Sequence, residues 1–208
     1  MARAPSDTRQ NLIETANELI WLESYNSVSV DDICAKANVK KGSFYHFFPS
    51  KADLALATME YCMQQTIADY DDIFSPRRHP IERLDQMADY LYEKQEKMRI
   101  EHGQVCGCPF ITLGSELAAK DEAIGEKVRD ICAKKLTYYE SALRDLIAYK
   151  EIDPTTDVKL KAQEIFAFIV GQIILARIKN DLSFIRHSLK SGLRDLVGIQ
   201  QKVENVAS

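Results

Sequence analysis

The sequence predicts an all-α chain of about nine helices, with a small N-terminal head of three helices and a larger helical C-terminal domain. Three observations predict it. Only 8 glycines and 6 prolines occur in 208 residues, too few for a β-sandwich with many tight turns. Ala, Leu, Ile, Lys, Glu and Asp dominate, a mix weighted toward strong helix formers. Apolar residues recur at three- and four-residue steps, and serine-led capping boxes open two of these stretches.

The first helix is predicted from about Ser6 or Asp7 to Glu23, because Leu12, Ala16, Leu19 and Ile20 fall on one face. Ser24-Tyr25-Asn26-Ser27 interrupts that pattern. Ser29 and Asp32 form a capping box for a short second helix ending near Ala37. Asn38 marks a sharp turn, since Asn tolerates left-handed backbone better than other residues with a Cβ. A third short helix, about Lys41 to Phe47, stops before Pro49, because the residue preceding proline avoids helical angles. Ser50 and Asp53 cap a fourth helix to about Tyr70. Ser75-Pro-Arg-Arg-His-Pro80 is the clearest break in the chain. Beyond it, helices are predicted over 81–101, 109–119, 121–149, 157–180 and 182–203. The expected division is a head over 1–50, a connecting helix over 51–73 and a larger domain over 74–208.

The formal net charge of -4 argues, taken alone, against a nucleic-acid binder. The distribution tells more. Residues 33–52 carry Lys36, Lys40, Lys41 and Lys51 and no Asp or Glu. A solvated lysine face gives the same signal. The longest uncharged apolar-rich run, 165–176, falls short of the ~20 residues that span a bilayer. No signal peptide is visible, so a cytoplasmic location without membrane partners is expected. The five cysteines are then expected to be reduced.

Two short helices joined by a tight turn match a helix-turn-helix plan. The stretches TRQNLIETANELI and SVSVDDICAKANVKKGSFYHFFPSKADLALATME resemble the N-terminal domain of the TetR family of bacterial repressors, most specifically in KGSFYHFFPSKADL. The residues agree physically. Phe44, Phe47 and Phe48 can pin the third helix, leaving Ser43, Tyr45 and His46 outward. Gly42 lets the backbone approach a phosphate, at a cost to the helix of up to ~1 kcal/mol relative to Ala. Lys40, Lys41 and Lys51 suit phosphate contact. The resemblance implies that Lys41, Gly42, Ser43, Tyr45 and His46 lie at or near DNA in the major groove, and that Lys51 meets phosphate. It also implies that Ser29 keeps a phosphate-binding hydroxyl, and that Arg3 and Arg9 of the N-terminal arm add contacts. Ser24, Val28, Asn38 and Lys40 depart from the family's usual Gly, Thr or Ser, Gly, and Ser or Thr.

The resemblance implies a ligand-binding and dimerisation domain in the remainder, with double-stranded operator DNA, a second copy and a small-molecule effector as partners. Leu182, Ile185, Leu189, Leu193 and Leu196 recur at steps of three and four, which suits either a core within one subunit or an interface. The family plan favours an interface through the last two helices. Tyr90, Phe110, Leu113, Leu117, Tyr138 and Phe168 are candidate walls of an effector pocket.

Cys106 and Cys108 are candidate sensing thiols, because Pro109 suits the first position of a helix and a helix N-terminus favours a thiolate. The GCPF…LGSELA pattern resembles family members that respond to electrophiles or oxidants. His102, Cys106 and Cys108 supply three metal ligands with no evident fourth, so neither a metal nor another cofactor is expected. No GxSxG elbow, GxGxxG turn, P-loop or HExxH gives an enzyme a footing. The other reading is a helical interaction module that no longer binds DNA.

Overall fold

The computed structural model describes residues 5–199. Arg3 and the expected extension of the last helix over 200–203 lie outside them. Among the described residues the chain is all helix: α1 (Pro5–Leu22), α2 (Val30–Ala37), α3 (Lys41–Phe47), α4 (Lys51–Ile73), α5 (Pro80–His102), α6 (Pro109–Leu117), α7 (Glu122–Ala148), α8 (Val158–Lys179) and α9 (Ser183–Leu196).

The ends follow local chemistry. Ser29 accepts the Asp32 amide and Asp32 accepts the Ser29 amide at 2.8 Å, so the box at α2 is complete. At α4, Ser50 accepts the Asp53 amide, while the Asp53 carboxylate takes the Ser50 hydroxyl at 2.7 Å. Pro80 and Pro109 begin α5 and α6 as N-terminal prolines. The last helix stops at Leu196, short of the expected end, because Gly198 turns left-handed at φ 81 and its amide bonds back to the Asp195 carbonyl.

The chain packs as two compact units, one of residues up to 69 with 106–133, the other of 70–105 with residues from 134 onward. The core of the first gathers Leu12, Ala16, Ile20, Ile33, Phe44 and Leu54 with Phe110, Leu113, Ile124 and Ile131. The core of the second joins Leu84 and Met87 of α5, Leu143 and Leu146 of α7, Ile165 and Ile169 of α8, and the α9 stripe. Leu182, Ile185, Leu189 and Leu193 are all buried inside this unit. These four residues of the stripe are therefore core, and Leu196 packs partly buried against it. Gly192 lets the Phe168 ring approach so closely that an added Cβ would lie 2.4 Å from it.

Candidate nucleic-acid interface

The head is built around two turns and one buried face. Asn38 sits left-handed at φ 54, ψ 50 and its amide returns to Ala35 and Cys34, which ends α2 abruptly. The Asn11 side chain donates to the Ala37 carbonyl at 2.8 Å and fastens α1 to that turn. Three residues after Asn38, α3 begins. Phe44 is fully buried, Phe48 nearly so and Phe47 half-buried. Arg9 lies over the Phe48 ring at 5.2 Å from its α1 position. With one face anchored, Gly42, Tyr45 and His46 are exposed and Ser43 half-exposed. A Cβ placed at Gly42 would meet nothing within 4 Å, so the space over that backbone is open.

The expected phosphate cations are not equivalent. Lys40 is exposed and its side chain forms no hydrogen bond or ion pair among the described residues. Lys41 pairs with Asp31 at 2.8 Å, and that carboxylate holds its ammonium above the usual lysine value. Lys36 pairs with Glu18 at 2.9 Å. Lys51 turns inward. Its ammonium donates to the Tyr25 and Val28 carbonyls at 2.8 and 2.9 Å and sits 3.9 Å from the centre of the Tyr25 ring. Burial lowers its pKa. Lys51 is therefore a strut between the start of α4 and the loop after α1. The Ser29 hydroxyl is likewise occupied, donating to Asp32 at 2.6 Å. Val28, where a hydroxyl is usual, is core at 1% exposure.

The two candidate thiols belong to the same packing unit as the head. Cys106 is 1% exposed, and Cys108 is half-buried at the N-cap of α6. Between them, the Gly107 carbonyl accepts the Trp21 indole N–H of α1 at 3.0 Å. Asn26 donates to Glu116 of α6 at 3.0 Å. The segment after Val105 is thus bonded directly to the head, through Trp21 and Asn26, which the sequence alone did not single out.

The six candidate pocket walls divide. Phe110, Leu113 and Leu117 are core of the first unit, and Tyr90, Tyr138 and Phe168 pack against the core of the second. Beside Phe110 and Leu113 is a cavity of about 10 Å³, room for one water at most. In the second unit Tyr70, Phe74, Tyr90 and Tyr138 form a ring cluster with centroids 5.3–6.4 Å apart. Burial and a 2.5 Å hydrogen bond to Asp71 push the Tyr138 hydroxyl up to about 12. None of the six lines the open polar cleft of about 330 Å³ bordered by Glu96, Arg99, Asp181, Arg186 and His187. On α8, Ile174, Leu175 and Ile178 are exposed, Ile178 to 74%. No described helix is long and apolar enough to cross a membrane.

Comparison with known proteins agrees with this geometry. Residues 12–58 match the family described as bacterial regulatory proteins, tetR family, and residues 80–191 match the tetracyclin repressor-like C-terminal domain. An uncharacterised HTH-type transcriptional regulator of Lactococcus lactis subsp. lactis is 26% identical over 185 residues, covering 86% of this chain and 88% of its own. The crystal structure of the regulatory protein TetR from Rhodobacter sphaeroides superposes at TM-score 0.79 with 26% identity, covering 90% and 97% of the two chains. Escherichia coli NemR, an HTH-type transcriptional repressor, is 27% identical over 118 residues, 56% of this chain and 57% of its own. Its reduced form superposes at TM-score 0.78 and 19% identity over 94% and 99% of the chains, a likeness of fold. Matched in its head and across more than half its length beyond it, this chain belongs to the TetR family and is a DNA-binding transcriptional regulator rather than an enzyme.

Proposed function

We propose that the chain is a repressor that binds a palindromic operator as a homodimer in the cytoplasm. Residues 1–50 read DNA, α4 connects, and residues 74–208 sense an effector and dimerise. The observation that carries the reading is the state of α3. Its apolar face is anchored by Phe44 and Phe48, while Gly42, Tyr45 and His46 remain exposed beside a Lys40 that has no partner among the described residues. In the family's arrangement Lys40, Lys41, Gly42, Ser43, Tyr45 and His46 meet the major groove and its phosphates. Exposed Ile174, Leu175 and Ile178 on α8 support pairing of copies through the last two helices. Two heads so joined reach major grooves one turn, ~34–36 Å, apart.

The signal is read as a small molecule or a thiol-reactive species, with Cys108 and Cys106 as sensing thiols. The half-buried Cys108 at the start of α6 favours this, as does the Trp21 bond to the intervening Gly107. Modification there pulls on α1 and so on the head. Release requires that the effector favour the conformation with mismatched heads. Selection of tight binders from a randomised duplex library at fixed salt tests the first claim, which predicts an enriched inverted repeat. Salt-sensitive binding with no enrichment refutes it. Adding a thiol-reactive electrophile tests the second. Release that persists in Cys106→Ser and Cys108→Ser proteins refutes the thiol reading.

A further inference from the structure

We propose that Asp31 sets the affinity of this regulator for DNA by holding the Lys41 ammonium, so that any duplex must displace an internal carboxylate before it gains that phosphate contact. The proposal rests on the reading of α3 as the DNA-facing helix. Asp31 lies in the first turn of α2 and Lys41 in the first turn of α3, ten residues apart, and the turn at Asn38 brings them together. Both lysine–carboxylate distances are short, 2.8 and 3.0 Å to the two oxygens. The two side chains are 52% and 70% exposed, so the pair is at the surface and can be exchanged.

Neither partner supplies a cap or a buried anchor in the head. The cap of α2 is completed by Ser29 and Asp32, and α3 is anchored by Phe44 and Phe48. The carboxylate is placed as an internal stand-in for phosphate. Docking exchanges one charge-assisted contact for another instead of adding one to an idle cation. The rest of the surface makes this exchange matter. Lys36 is committed to Glu18 and Lys51 to two carbonyls, which leaves Lys40 as the one lysine of 33–52 with no hydrogen bond or ion pair among the described residues. The charge available to DNA is therefore smaller than the lysine count. Non-specific binding is almost wholly electrostatic, so the internal competitor shortens dwell times on every sequence. It does not touch the base edges that discriminate among them.

The test is a double-mutant cycle on the full chain with Asp31→Asn, Lys41→Met and the pair together. Each is titrated against a selected operator and a random-sequence duplex over a range of salt. Asp31→Asn is expected to tighten both complexes by about two- to fivefold, the range of one exposed ion pair. It also steepens the dependence of log affinity on log salt by up to about one unit. In the Lys41→Met background the same substitution changes neither. Equal tightening in both backgrounds overturns the proposal, because Asp31 then acts by bare repulsion of DNA. No tightening beside an intact Lys41 overturns it as well. Asp31→Ser, also suited to the first turn of a helix, repeats the result if Asn disturbs the fold. Failure of the unaltered chain to bind any duplex removes the DNA-binding reading itself, and shows before any substitution is made.

Discussion

α3 and α9 are built alike and used differently. Each has one buried apolar face, Phe44 with Phe48 on the one and Leu182, Ile185, Leu189 and Leu193 on the other. Three outer cations of α9 are answered within the chain. Arg194 grips Asp85, Lys190 reaches Asp89 at 2.7 Å, and Arg186 lies over the Tyr92 ring at 5.7 Å. The outer side chains of Lys40, Tyr45 and His46 make no hydrogen bond among the described residues, and Tyr45 and His46 touch rings of their own helix. Packing alone does not distinguish the two helices. What differs is how the outer cations are held: on α9 Arg186, Lys190 and Arg194 all meet partners far along the chain, whereas at α3 Lys41 is paired, with Asp31, and Lys40 at its N-cap has no such partner among the described residues.

The largest effect that breaks the comparison is Phe44→Ala. Removing a fully buried ring costs about 3–5 kcal/mol, so urea unfolding shows a large loss and DNA binding goes with it. Gly42→Ala separates stability from function. The helix gains up to about 1 kcal/mol, since nothing obstructs the methyl, while affinity for DNA falls because backbone and duplex can no longer approach as closely. An unchanged affinity in filter binding removes Gly42 from the interface. Next comes a matched pair. Arg194→Met lowers stability by about 0.5–1 kcal/mol, the upper range for a partly exposed bidentate pair, without changing affinity for DNA. Lys40→Met leaves stability within about 0.5 kcal/mol and reduces the salt slope of DNA binding by about one. The smallest effect is at the α2 cap. The Ser29 hydroxyl and amide both donate to Asp32 and hold its carboxyl below the usual carboxylate value. A depressed folded value gives stability that is present above the unfolded value and lost as pH falls through the folded one. The deficit of Asp32→Asn therefore appears at neutral pH and fades in acid, as melts across pH will show.

Much of the head was legible because its signals are local. The box at Ser29, the left-handed Asn38, and α3 from Lys41 to Phe47 stand where short-range chemistry puts them. Contacts between residues far apart in the chain were not legible. No spacing rule pairs Lys36 with Glu18, turns Lys51 toward Tyr25, or joins Trp21 to Gly107 across 86 residues. Ser24 stands where the resemblance makes glycine usual. Its φ of 137 explains why glycine is usual there, for such backbone strains any residue with a Cβ. A periodic stripe likewise reports that a face is buried and not what covers it, which is why α9 could be read either way.

The first packing unit is discontinuous in sequence, since residues 106–133 complete a core begun by the first 69. For a chain growing on a ribosome this imposes a wait. Ile20, Met59 and Met63 emerge early, yet Phe110, Leu113, Ile124 and Ile131, which share their core, follow only much later. At ordinary rates of synthesis the interval from residue 69 to residue 133 is about 3–13 s. Throughout it the nascent head presents an unfinished apolar face to chaperones, and a transcript that ends early yields a head with no means of closing it.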